Sequence, residues 1–259
     1  MKKIIAILVF MIGVACCYAQ PFPLDYSYVG YRMSQQPIPN ADVKVYVGWH
    51  DGDQSSRIQK AIDYVASLKP DRKTGLRGAV LLGKGCYELS EPLRIQASGV
   101  VICGTQKGET VLLKKGVDRG AVVYVEGKNN RIVTDTIHGN ARKDDDVIIV
   151  RKSTQKWIDL MKCGNFGGGL DLGYWGWHPG EVDLEFTRKI TGIVNGKPSF
   201  DAPLPISYDK DCMMLRYTWS GRIENSGIEN ITVESDYDKA YPKDEDHAWN
   251  GVYLANAIN

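Results

Sequence analysis

The sequence predicts an all-β fold: a right-handed parallel β-helix with an N-terminal capping α-helix and an inserted β-rich subdomain. Three observations lead there. Short apolar runs (AVLL, CYEL, LRI, VVIC and TVLL) crowd into residues 78–116, separated by glycines and polar residues. A single strongly amphipathic segment, DGDQSSRIQKAIDYVASLKPD, precedes them. The same strand rhythm lapses over residues 132–217 and returns over 218–259. The runs are too short and too close for the hairpins of a sandwich. Three short strands in each ~20–25 residues, cornered by glycine, is instead the rhythm of stacked coils.

Taken in order, Lys2 and Lys3 form a short basic start, Ile4–Val14 an apolar run, and Cys17-Tyr18-Ala19 a set of small residues before Gln20. This predicts a signal peptide over residues 1–19, cleaved after Ala19, and a secreted or periplasmic protein. A lipoprotein signal using Cys16 is the alternative. The apolar run is too short for a permanent membrane span.

Without that segment the formal charge moves from +1 to about −1. Such a balance leaves no electrostatic footprint for nucleic acid or an anionic membrane. GNFGGG lacks the lysine and the strand–turn–helix context of a phosphate loop, so no nucleotide site is expected. Cys86, Cys103, Cys163 and Cys212 remain, in spacings that fix neither a disulfide pairing nor a zinc site.

Residues 20–131 are expected to hold an extended lead-in, a strand at Val43–Val47, the capping helix and the first coils. The helix places Ile58, Ala61, Ile62, Val65 and Leu68 on one face. Asp53, Ser55 and Ser56 offer N-cap oxygens, and Pro70 closes the far end. A stack of coils exposes an open ladder edge at its start, and this helix has the apolar face to cover it.

Residues 132–217 read as an inserted, mostly antiparallel subdomain. DDDVIIVRKSTQKWIDLMK predicts a strand and a short helix capped at Ser153, and Asn195-Gly196 predicts a hairpin turn. The stretch GNFGGGLDLGYWGWHPGE predicts a long loop. In residues 218–259, GIENITVES and GVYLANAIN read as similar segments one coil apart, with Asn230 and Asn256 as stacked turn asparagines. No capping element follows Asn259, which predicts a truncated chain whose further coils carry part of the working face.

GDQSSRIQKAIDYVAS followed by RGAVLLGKGCYELSEPLRIQASGVVICG resembles the N-terminal cap and first coils of pectate-lyase-superfamily proteins. DEDHAWNGV and the insertion further resemble exported bacterial members of that group. The resemblance covers most of residues 50–131 and 218–259. It implies a right-handed β-helix and action on a polysaccharide, while no catalytic motif of the superfamily maps residue by residue.

The densest reactive cluster is DEDHAW. Asp244 and Glu245 are candidate ligands for Ca²⁺, which takes hard oxygen donors. Asp246 and His247 are candidate acid and base groups. Trp249 is a candidate stacking surface for a sugar ring. Trp175 and Trp177 in YWGWHPG are further candidates for a sugar surface, or else anchors of the insertion. Together these predict an exported protein that degrades acidic, uronate-containing glycans by lyase or hydrolase chemistry. A non-catalytic carbohydrate-binding or adhesive β-helix, or an inactive fragment of a longer enzyme, is the alternative.

Overall fold

The computed structural model describes residues 26–106, 108–166, 175–241 and 243–259. The expected signal peptide and the part of the glycine-rich loop at 167–174 lie outside the described residues. The described chain is dominated by strands, with two α-helices, and belongs to the all-β class.

The first strands and helix are β1 (Val43–Val47), α1 (Ser55–Ser67), β2 (Gly78–Leu82), β3 (Gly85–Leu89), β4 (Leu93–Ile95), β5 (Val100–Gly104), β6 (Thr110–Lys114) and β7 (Ala121–Glu126). Next come β8 (Asn130–Thr136), β9 (Asp146–Arg151), α2 (Gln155–Met161), β10 (Leu184–Val194), β11 (Lys197–Phe200) and β12 (Cys212–Ser220). The chain closes with β13 (Ile223–Glu224), β14 (Gly227–Glu229), β15 (Thr232–Ser235), β16 (Asn250–Ala255) and β17 (Ala257–Ile258). Every apolar run singled out in residues 78–116 is one of these strands.

Two compact units result. One is Gln36–Ile132 with Thr218–Asn259; the other is Val133–Tyr217 with the described residues up to Gln35. In the first unit the pairings among β1–β7 and β13–β17 are all parallel. Its sheets run β1-β2-β5-β14, β3-β6-β15 and β4-β7-β16, with β13 beside β17. The chain visits the three longer sheets in turn, pass after pass. Val80 pairs with Ile102 and Ile102 with Ile228, Tyr87 with Leu112 and Leu112 with Val233, Leu93 with Val123 and Val123 with Val252. Stacking identical positions of successive passes joins Val80, Ile102, Tyr87, Leu112, Leu93 and Val123 in one continuous core. The Tyr87 ring is fully buried there, its hydroxyl 2.9 Å from Val47 O and 3.1 Å from Gly83 O.

The start of the stack is closed on all three sides. Strand β1 pairs with the free edge of β2. At β3, Asp53 forms a parallel bridge to Glu88, and Gln54 N donates to Glu88 O at 2.8 Å. At β4 the Gln59 side-chain amide acts as a strand would: Nε2 donates to Arg94 O (3.0 Å) and Oε1 accepts from Arg94 N (2.8 Å). Helix α1 then lays Ile58, Ala61, Ile62 and Val65 onto the core. Its helical N-cap position is Gln54, which makes no side-chain capping bond, so the expected capping oxygens work differently. Asp53 Oδ1 accepts from Ser55 N, Ser55 Oγ and Ser90 N, tying the helix start to the turn after β3.

Those bonds set the acidity of Asp53. Burial pushes its carboxyl up, but the Ser55 hydroxyl and the Ser90 and Ser55 amides outweigh that and hold it at about 2, below the ordinary 3.8. A folded-state pKa lowered in this way adds stability above pH ~4, which is lost as the pH falls towards 2. Because Asp53 is exposed, solvent screening limits the contribution to about 1 kcal/mol. Asp53→Asn should therefore lower the unfolding free energy measured in urea by that amount at neutral pH, with the gap to the native protein closing on acidification.

In the last pass the structure corrects one sequence expectation. GIENITVES and GVYLANAIN do not occupy equivalent places in successive passes. Strands β14, β15 and β16 are three sides of one pass, lying on β5, β6 and β7. The long segment between β15 and β16 made the linear spacing misleading. Asn230 and Asn256 both take positive φ, at corners after β14 and β16, and do not stack on each other. Asn256 Nδ2 instead donates to Gly127 O (3.3 Å). Asn225, which follows β13, meets the strand β17: its N donates to Ile258 O (3.3 Å).

In the second unit β9 is central to the sheet β11-β10-β9-β12-β8, with antiparallel partners β10 and β12. Val147, Ile149, Ile190 and Met214 form its own core. Asn195 (φ 50°) and Gly196 (φ 75°) make the expected β10–β11 hairpin turn, where the left-handed region matches the twist of the strands. Helix α2 is capped by Thr154, whose Oγ1 accepts from Trp157 N (3.3 Å), and not by Ser153. Ser153 is buried and bonds to Asp183 Oδ1 through both N (2.7 Å) and Oγ (2.9 Å).

Candidate functional site

The segment 236–249 leaves the coil between β15 and β16 and carries the acidic-aromatic cluster. Its base is fixed at both ends. Asp236 N donates to Lys114 O (2.8 Å), and the Asp236 carboxylate pairs with Lys115. That hydrogen bond from Lys115 holds the Asp236 carboxyl below its ordinary range. At the far end Ala248 is buried in the core, its N donating to Ser235 Oγ (2.9 Å). The loop is therefore a built projection from the coil.

Between these anchors lies a cleft of about 690 Å³, lined by Arg119, Asp238, Ala240, Tyr241, Lys243, Asp244, Glu245 and Asp246. Arg119 comes from the corner before β7. Its Nη2 and Nε donate to Asp246 Oδ1 at 2.9 and 3.1 Å. The same guanidinium lies 5.0 Å from the ring centroid of Trp249, which is 59% exposed. Trp249 Nε1 donates to Glu245 O (3.0 Å), fixing the indole while leaving it open to solvent.

The predicted site residues thus separate by role. Asp246 is the counter-ion of Arg119, and its own amide N donates to Asp244 Oδ1 (2.9 Å). Asp244 and Glu245 line the cleft without converging. Among the described residues no group of three or more His, Cys, Asp or Glu is placed to hold a metal ion. His247 is half-buried, its ring 5.4 Å from that of Tyr237 and its Nδ1 3.1 Å from Ala248 O. Trp249 is not part of the cleft lining and adjoins it through Arg119.

Trp175 and Trp177 belong to the other unit. Trp177 stacks on Trp157 of α2 (5.7 Å, 10°) and meets Phe166 edge-on (5.9 Å), while Trp175 is exposed. Sequence reasoning missed Arg119, Tyr241 and Lys243. Arg119 sits in the unremarkable corner GVDRG, and only the register of β7 beside β16 brings it to Asp246.

No family model matches the chain, and no curated protein is similar to it in sequence. Among solved structures, the Gp54 tailspike of the Acinetobacter baumannii bacteriophage AP22, solved in complex with A. baumannii capsular saccharide, is similar with a TM-score of 0.40. The two are 10% identical over 81% of this chain, which spans 30% of the tailspike chain. No helix among the described residues is long and apolar enough to cross a membrane.

Proposed function

We propose that the parallel unit is a right-handed β-helix of the pectate-lyase-like kind and that its Arg119–Trp249 cleft binds an acidic, uronate-containing polysaccharide. The observation carrying this reading is the exposed indole of Trp249 packed against the guanidinium of Arg119, a residue that lines the open cleft. A sugar presents a C–H-rich face that packs on an indole, and a uronate adds a carboxylate that matches a guanidinium. Asp246 occupies Arg119 in the free protein, but both partners are exposed, so the pair contributes only about 1 kcal/mol or less. A substrate carboxylate can replace it at small cost.

Binding is better supported than cleavage. Hydrolysis needs two carboxyl groups flanking the bond, and among the described residues the cleft's carboxylates form no such pair set across the Trp249 indole. Lys243 and Tyr241 beside Arg119 favour elimination as a second reading, since that chemistry pairs a proton-taking side chain with a cation facing the uronate carboxylate.

Affinity electrophoresis in gels containing a polyuronate tests the reading. The native protein should be retarded, and Trp249→Ala and Arg119→Ala should each weaken binding ~10-fold, the equivalent of about 1.4 kcal/mol. Retardation unchanged in both variants, or equal in a neutral glucan gel, would overturn it. Appearance of an unsaturated uronate product, lost in Lys243→Ala or Tyr241→Phe, would move the reading from binder to lyase.

A further inference from the structure

One row of side chains outside the cleft points to a longer recognition surface. On the sheet β4-β7-β16, Arg94 pairs with Tyr124 and Tyr124 with Tyr253. Their strand neighbours Leu93, Ile95, Val123 and Val125 are buried in the core. Alternation along a strand therefore turns Arg94, Tyr124 and Tyr253 to the outer face, one above another at about 4.8 Å spacing.

The row is packed as a unit. The Arg94 guanidinium lies 4.4 Å from the Tyr124 ring centroid, and the Tyr124 and Tyr253 rings are 5.5 Å apart, tilted by 57°. Arg94 Nη1 is 4.0 Å from Glu126 Oε2, and Tyr124 Oη accepts from Ala121 N (3.0 Å). Arg94 and Tyr253 remain 45% and 43% exposed. Trp249 immediately precedes β16, and Tyr253 comes four residues later, about 13 Å along a strand.

We infer that Arg94, Tyr124 and Tyr253 form a second saccharide-contacting subsite, continuous with the Arg119–Trp249 cleft, which lets the sheet hold an acidic glycan longer than the cleft alone can cover. The inference rests on the reading of that cleft as an acidic-glycan site. Two arginines, each over an aromatic ring at opposite ends of the strip, fit a polymer bearing repeated carboxylates. A neutral chain would find the rings but gain nothing from either guanidinium, which would keep its own carboxylate, Asp246 for Arg119 and Glu126 for Arg94. Tyrosine and tryptophan give large, stiff contact areas at small entropic cost, which suits a repeating ligand.

The test is a titration of the full chain with uronate oligosaccharides of increasing length, by calorimetry, using the native protein, Tyr253→Ala, Arg94→Ala and Trp249→Ala. Affinity of the native protein should rise with oligomer length. Tyr253→Ala and Arg94→Ala should bind the shortest binding oligomer as the native protein does, and should lose at least ~5-fold on the long ones. Trp249→Ala should weaken all lengths. Long-oligomer binding unchanged in both Tyr253→Ala and Arg94→Ala would overturn the second subsite while leaving the cleft reading intact. Absence of uronate binding by the native protein at every length would overturn the cleft reading, and the subsite with it. A uniform loss at all lengths in Tyr253→Ala and Arg94→Ala would also overturn it, because the row would then support the fold without touching the far end of the ligand.

Discussion

Gly99→Ala should destabilise the parallel unit by about 3 kcal/mol or more. Gly99 forms the corner between β4 and β5, where the chain turns from one pass into the next. Its φ is +77°, in the left-handed region that side chains disfavour. A Cβ there would meet Gly75 O at 2.2 Å, Arg77 N at 2.8 Å and Leu76 Cα at 3.0 Å. All three are main-chain atoms that no rotamer change can move. Gly99 also binds the passes on either side: its O accepts from Arg77 N (2.7 Å), and its N donates to Glu224 O (2.8 Å). Gly116→Ala is the control, because its φ is +96° but nothing lies within 4 Å of its Cβ position. It should cost only the conformational part, about 1–2 kcal/mol. Urea unfolding of the two variants should separate them clearly; equal midpoints would mean that the tight corner at Gly99 is absent.

Ile102→Ala should cost about 2–5 kcal/mol, the range for removing a buried aliphatic side chain from a core that cannot collapse. Ile102 is fully buried in the middle pass, between Val80 and Ile228. Because each pass packs on its neighbours, a void there withdraws contacts from both sides at once. Ile132→Ala, at a side chain 63% exposed, should change stability by no more than about 0.5 kcal/mol. A small effect at Ile102 would contradict a continuous core shared by the three passes.

Much of this architecture is written locally. AVLL, CYEL, LRI, VVIC and TVLL became β2 to β6 because each is a short apolar run ended by its own turn residues. Ile58, Ala61, Ile62 and Val65 reach the core because helical spacing alone puts them on one face. The Asn195-Gly196 turn needs no tertiary partner to explain it. What the sequence concealed depends on distant pairing. Ser153 and Thr154 are adjacent hydroxyls equally able to cap α2, and the choice is made by Asp183, thirty residues on, which holds Ser153 away. The pairing of β13 with β17 was hidden because residues 236–249 break the coil period. The candidate site shows the same divide. DEDHAW stood out as reactive side chains in a row, yet its defining partner, Arg119, is 127 residues away in sequence. The tyrosines of the neighbouring strip looked like ordinary strand residues until the register of β7 and β16 aligned them.

The most direct measurement of the central claim is a crystal structure of this chain with an acidic oligosaccharide bound. The account predicts a sugar ring stacked on Trp249, its carboxylate on Arg119 in place of Asp246, and the chain running along β16 towards Tyr253. A saccharide bound elsewhere, with Trp249 bare and the Arg119–Asp246 pair intact, would contradict it.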